Sequence, residues 1–160
     1  MSEWKQEIVL QPIGVVRSPR DEAIDDFWGS VESVIELDPE QFTADVAAGL
    51  SDFSHVDVVF FMNRVRPEKI ETTARHPRGN TEWPKVGIFA QRAKGRPNRL
   101  GVTNCQLVKV EGLRITVRGL DAIEGTPVVD LKPYMAEFGP RGDVKQPEWS
   151  HVLMKEYFLG

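Results

Sequence analysis

In this chain the apolar residues recur at every second position rather than every third or fourth, and that period commits most of its core to strands. In VESVIEL (31–37), Val31, Ser33, Ile35 and Leu37 alternate with Glu32, Val34 and Glu36. HVDVVFFMN (55–63) is β-branched and aromatic throughout, the composition of a buried strand. VTNCQLVKV (102–110) and LRITVRGL (113–120) flank Glu111-Gly112 and predict a hairpin. EIVLQPIGVVRS (7–18) reads as a strand interrupted at Pro12, which suits an edge or a bulge, and VGIFAQ (86–91) predicts a further strand. Two helices are expected. The first is capped by Asp38, has Pro39 at its first position and Gln41 in the capping box, closes at Gly49, and buries Phe42, Val46 and Leu50. The second lies within QPEWSHVLMKEYFL, starts at Pro147 and buries Trp149, Val152, Leu153 and Phe158. Many short strands with few helices predict a mostly-β fold, a barrel-like core with a few flanking helices.

A chain of 160 residues is one domain's worth, able to bury about 70% of its unfolded surface. It has no apolar run of the roughly 18 residues that a membrane helix needs, and MSEWKQEIVLQPIG lacks the pattern of a secretory signal. A cytoplasmic location is therefore expected. Cys105 is the only cysteine, which leaves no internal disulfide or multi-cysteine zinc site, and VTNCQLVKV places it on a buried strand. The net charge of −4 argues against indiscriminate nucleic-acid binding, yet residues 64–99 carry ten basic and three acidic side chains, a local +7 that leaves −11 elsewhere. That asymmetry points to a basic surface for an anionic partner, or to a loop kept soluble by its charges. The excursion RVRPEKIETTARHPRGNTEWPK, with three prolines and no firm period, has the length of a functional or disordered loop.

The familiar nucleotide fingerprints are absent: there is no Gly-x-Gly-x-x-Gly after a strand and no Gly-Lys-Ser/Thr loop. A Rossmann sheet is therefore not expected. His55, His76 and His151 are far apart and form no His-Glu-x-x-His, so no metal site is expected. His55 opens an apolar strand and suits a hydrogen-bonded core or rim position; His76, in ARHPRG, suits phosphate contact or an exposed loop equally. Two stretches carry more. FAQRAKGRPNRLG (89–101) surrounds a Pro-Asn turn with Arg92, Arg96 and Arg99, and arginine grips phosphate or carboxylate bidentately. GLDAIEGTPVVDLKPYM (119–135) then packs Asp121, Glu124, Asp130 and Lys132 around a stiff Gly-Thr-Pro turn. A ligand with both charge signs, such as an amino acid moiety bearing a sulfonium, would use both loops. By themselves the acids read first as an acidic turn beside a buried strand that a proline ends.

Together these stretches resemble the paired signature of the YaeB/TrmO family: Phe-Ala-Thr-Arg, then Arg-Pro-Asn-Pro-Ile-Gly, then Leu-Asp-Leu-Val-Asp-Gly-Thr-Pro-Val-Leu-Asp-Ile-Lys-Pro-Tyr. IGVVRSP (13–19) and LSDFSHVDVVFF (50–61) are similar to the family's opening strand and Phe-Ser-His strand, in the same order. The chain departs from the pattern at Arg99-Leu100-Gly101, at Gly95 where an aromatic is usual, and at Asn63-Arg64 where His-Gln is common.

The resemblance implies S-adenosylmethionine bound on a β-barrel and methylation of the exocyclic amine of threonylcarbamoyl-adenosine beside the tRNA anticodon. It implies cofactor contacts at Pro19, Arg20, Asp21, Asn63, Arg64, Arg92, Leu120, Asp121, Ala122 and Ile123, and a homodimer with its sites near subunit contacts. Arg75, His76, Arg78, Lys94 and Arg96 are expected on the RNA face. Asp130, Lys132 and Tyr134 match the motif; Lys132 and Tyr134 are assigned to the RNA side or to bracing the site. A sulfonium is already activated and needs mainly in-line approach, whereas the amine, its lone pair delocalised into purine and urea, needs a proton acceptor. Asp121 or Asp130 is the candidate. Residues 1–160 are expected to form a single domain without the additional C-terminal domain of longer family members. The alternatives are a cofactor- and RNA-binding module without catalysis, and a small-molecule methyltransferase.

Overall fold

A computed structural model of the protein describes residues 2–160. Among the described residues eight strands form: β1 Gly14–Arg17, β2 Glu32–Leu37, β3 His55–Phe61, β4 Ala74–Arg75, β5 Val86–Gly87, β6 Leu100–Glu111, β7 Arg114–Arg118 and β8 Pro127–Pro133. Six of them close into a barrel in the order β1-β2-β7-β6-β3-β8, every pairing antiparallel, with β8 returning to β1. β4 and β5 make a separate two-stranded ribbon within the basic excursion. The mostly-β barrel expected from the sequence is the observed architecture.

The period of two explains the core. Val56, Val58 and Phe60 of β3 point inward while His55, Asp57, Val59 and Phe61 are half-buried, and Ser33, Ile35 and Leu37 of β2 do the same. Val16, Cys105, Ile115, Val117, Leu120 and Val128 complete the barrel interior. Phe60 faces Gly101 of β6 across the ladder. A Cβ on Gly101 would lie 2.4 Å from the Phe60 ring, so the ring fills the place that any other side chain would occupy. The hairpin β6–β7 turns at Gly112-Leu113, with φ +63 at Gly112, the first-position glycine of a tight hairpin. Cys105 is buried on β6 as expected, and burial, with Asp121 and Asp57 nearby, pushes its thiol well above the ordinary range.

Four expected elements differ. Residues 38–50 do not form an α-helix. Asp38 accepts hydrogen bonds from the Glu40 amide (2.9 Å) and Gln41 Nε2 (2.7 Å), but Gln41 also donates to the Pro12 carbonyl (3.0 Å). The capping residues thus fasten a turn to the chain before β1. One-turn 3-10 helices follow at Ala44–Ala47 and Leu50–Asp52, which turn Ala47, Phe42 and Leu50 toward the core and leave Val46 exposed. The first strand begins only after Pro12, at Gly14, and Ile8, Val9 and Leu10 lie exposed outside the sheet. VGIFAQ gives two strand residues before a 3-10 turn, Ile88–Ala90, that buries Ile88 and exposes Phe89. The C-terminal helix is present but short, α1 Glu148–Met154, with Val152 and Phe158 exposed and Trp149 against Trp83 at 6.5 Å between ring centroids. No described helix is long and apolar enough to cross a membrane.

Candidate functional site

The turn after β1 and the turn before β8 are knitted into one junction at an end of the barrel. The Glu124 amide donates to the Arg20 carbonyl (2.8 Å), the Gly125 amide to Val16 (2.8 Å), and the Ser18 amide to Glu124 Oε1 (3.1 Å). Thr126 holds its own turn by donating to the Ile123 carbonyl (2.7 Å). Arg64, just past the end of β3, reaches both turns at once and donates to the carbonyls of Asp21 (2.7 Å) and Glu124 (3.4 Å). Pro19, Arg20, Asp21, Glu22 and Ile24 line a small open depression there. Three segments expected to hold the cofactor, at 19–21, 64 and 120–123, are therefore neighbours.

Several of these side chains are already engaged. The Arg20 guanidinium stacks over the Trp28 ring, 3.6 Å from its centroid, and donates to the carbonyls of Ile24, Asp26 and Phe27. The side chains of Leu120 and Ala122 are buried in the core, so those residues offer a ligand only their backbone. Asn63 is exposed just after β3. Arg92 is exposed and donates to the Val102 carbonyl (2.6 Å), one residue before Thr103.

Asp121 is the centre of a second cluster. Thr103 Oγ1 donates to its Oδ1 and the Tyr157 hydroxyl to its Oδ2. Nothing in the sequence singles out Tyr157 beyond its place in an aromatic-rich tail. Burial first, then the Asp121 carboxylate, pushes the Tyr157 phenol far above its ordinary value, with Arg92 opposing the shift. The phenol is therefore a donor at any physiological pH. Asp130 is elsewhere. It lies on β8 beside Leu131, whose side chain packs on the core; its carboxylate accepts from the Leu131 amide (2.9 Å) and pairs with Lys132 (3.4 Å). Tyr134 follows β8, its amide bonded to the His55 carbonyl (3.0 Å).

The basic excursion divides into internal braces and free charges. Arg78 pairs with Asp26 (2.9 Å), Arg96 donates to the Gln91 carbonyl (2.7 Å), and Arg99 donates to Val65 (2.7 Å) while lying over Phe61. His76 Nδ1–H donates to the Trp83 carbonyl (2.8 Å). Arg75 is different: its Nε is buried and has no hydrogen-bond partner among the described residues. Lys69, Lys85 and Lys94 are exposed. Among the described residues no group of three or more His, Cys, Asp or Glu could hold a metal.

The family model of the tRNA-methyltransferase O N-terminal domain matches residues 17–139, a span that contains both the junction and Asp121. The chain belongs to this family. A TrmO crystal structure from Pseudomonas aeruginosa superposes with a TM-score of 0.69 at 26% identity, covering 88% of this chain and 62% of that one. A probable S-adenosyl-L-methionine-binding protein of Methanothermobacter thermautotrophicus is 36% identical over 140 residues, 85% of this chain and 96% of that protein. The human tRNA (adenine(37)-N6)-methyltransferase is 40% identical over 99 residues, 62% of this chain and 22% of the human protein. Relative to the human enzyme and the TrmO structure, this chain spans only part of the length. Tyr157 falls outside the span of the TrmO family match.

Proposed function

We propose that the protein methylates N6 of adenosine 37 in tRNA with S-adenosylmethionine as donor, and that the accepted base is the threonylcarbamoyl-modified form. The observation that carries this is the junction: Arg64 and the turns at 19–21 and 120–124 converge in a chain of the TrmO family. The donor set suits a zwitterionic sulfonium ligand, because Arg64 lies beside Asp21 and Glu124 while Ile24 and Ile123 supply apolar surface. Bound there, the cofactor supplies a methyl group already activated by its sulfonium. The depression measures only about 160 Å³, below the roughly 300–1,000 Å³ usual for a small-molecule pocket, so it holds only part of such a ligand; a homodimer belongs to the same reading and is tested by the mass of the protein in solution. The protein would act where tRNA is found in the cytoplasm.

The amine nitrogen of the base attacks in line, a C–N bond forms as the C–S bond breaks with its electron pair going to sulfur, and the amine proton must leave. Asp121 is the acceptor we assign. It is half-buried between Thr103 and Tyr157, and each carboxylate oxygen keeps a lone pair beyond its one hydroxyl donor. Asp130, paired with Lys132 on β8, is assigned a bracing role. Incubation of the protein with methyl-labelled cofactor and tRNA, with and without threonylcarbamoyl-adenosine, is the test. Label in modified tRNA alone is expected; label in neither RNA excludes the tRNA methyltransferase reading.

A second reading, cofactor binding without catalysis, has one finding beside it: the Methanothermobacter relative, 96% of whose length the match covers, is a probable S-adenosyl-L-methionine-binding protein. The same incubation separates the two when cofactor binding is measured in parallel.

A further inference from the structure

We propose that the chain's C-terminal segment completes the site, with Tyr157 as the positioning residue that fixes the Asp121 carboxylate. The assignment rests on the reading of Asp121 as proton acceptor.

After α1 the chain turns back over residues 155–158 and docks by its backbone on the loop that follows the first turn. The Phe27 amide donates to the Glu156 carbonyl (3.0 Å) and the Trp28 amide to the Tyr157 carbonyl (2.8 Å). Phe27 is held at φ +68, a left-handed conformation unusual for a residue with a Cβ, at the point where this pairing starts. Gly29 permits the approach: a Cβ there would lie 1.9 Å from the Phe158 carbonyl oxygen. Trp28 between them is buried and carries the Arg20 guanidinium on its ring, and the Arg20 carbonyl accepts the Glu124 amide. The docked tail is thus joined to the cofactor-side junction through its backbone.

It is joined again through one side chain. A carboxylate held by a single donor can still swing about its Cβ–Cγ bond. Asp121 has a donor on each oxygen, Thr103 from the barrel wall and Tyr157 from the tail, so its plane is fixed from two sides. The buried phenol stays protonated and cannot compete for the proton that Asp121 is to receive. Arg92, held on the Val102 carbonyl, lies near the same hydroxyl. Misplacing a catalytic group by an ångström or so can lower a rate about 10²-fold, which sets the scale of the expected effect.

Three variants test this, Tyr157→Phe, Gly29→Ala and Asp121→Asn, in the full chain. Tyr157→Phe keeps the ring and removes only the donor; Gly29→Ala keeps the hydroxyl and displaces the tail. Without cofactor, both should raise amide hydrogen exchange across residues 119–123 at least about tenfold at an unchanged fold by circular dichroism. In single turnover both should lower the rate about 10–100-fold while S-adenosylmethionine affinity changes less than threefold. A purely structural tail would lower the melting temperature and leave both the rate per folded molecule and the cofactor affinity as they are. Unchanged exchange in 119–123 overturns the proposal whatever the activity. So does a normal rate in Tyr157→Phe when Asp121→Asn is impaired, which leaves the acceptor reading standing. A normal rate in Asp121→Asn removes the acceptor reading and the positioning role with it.

Discussion

Arg64 and Arg92 show how little side chain holds this site together. Arg64 reaches both turns, at Asp21 and Glu124, and its loss removes two hydrogen bonds from a charged donor. Arg64→Ala is expected to weaken cofactor binding by roughly 1.5–3 kcal/mol, the range for hydrogen bonds to charged groups, as measured by calorimetry. Arg92→Ala should do the same if its guanidinium turns from the Val102 carbonyl to the ligand; unchanged affinity assigns it to bracing β6. The two acids separate as well. Asp121→Asn is expected to keep the fold and most cofactor affinity and to lose about 10²–10⁴-fold in turnover, the scale of a positioned base. Asp130→Asn removes the charge that pairs with Lys132 and keeps an Oδ1 acceptor for the Leu131 amide, so it should lower the melting temperature slightly with turnover per folded molecule nearly unchanged. Melting curves and single-turnover rates on the pair distinguish these outcomes.

The basic excursion behaves as an element with two jobs. Its charges are dense in sequence, but Arg78, Arg96 and Arg99 tie the excursion to itself and to the loop at 25–26. The charges left to meet an RNA backbone are Arg66, in an exposed pair with Glu68, Lys69, Lys85 and Lys94, with the half-buried Arg75 beside them. Bound phosphates release their counterions, so tRNA affinity should fall steeply with salt. Lys69→Ala with Lys94→Ala should flatten that dependence, by about 0.7–0.9 in slope for each phosphate no longer neutralised, and leave cofactor affinity unchanged. Arg78→Ala should instead destabilise the loop at 25–26. Filter binding across a salt series decides it: a slope that stays flat in the parent protein excludes this face as the RNA-binding surface. The charge count in the sequence located this element, while the division between braces and free charges depends on where carbonyls and carboxylates come to lie in space.

For the whole molecule, the closed barrel couples two buried acids to alkaline stability. Tyr157 and Cys105 have ordinary values of 10.0 and 9.0, and both are raised in the fold by burial first and then by Asp121. The unfolded chain releases these protons from about pH 9 upward while the folded chain retains them. Above that point the unfolded state binds fewer protons, so stability falls as pH rises; below it the contribution is fully present. Denaturant midpoints should therefore drop between pH 9 and 11, and Tyr157→Phe should remove the part that begins near pH 10. A midpoint independent of pH in this window would mean that neither Tyr157 nor Cys105 is shielded from solvent in the folded protein. Closure has a steric condition too. Gly101→Val would set a branched side chain against the Phe60 ring, an overpacking expected to cost about 1–3 kcal/mol in chemical denaturation.

The sequence by itself determined the barrel's material and its family. Alternation in VESVIEL and HVDVVFF selects which residues face inward, because a strand has only two faces, and the two long motifs are contiguous and so are legible without a structure. Local signals failed where a distant partner outbid them. The cap at Asp38 became a turn because Gln41 found the Pro12 carbonyl, and VGIFAQ left the sheet after two residues because Ile88 is buried while Phe89 is not. What only the tertiary structure decided is which acid has hydroxyl partners. Asp121 and Asp130 look alike in the chain, nine positions apart on either side of one turn. Thr103 and Tyr157 approach the first from a strand and from the tail, and those distances in sequence carry no local pattern from which their meeting could be read.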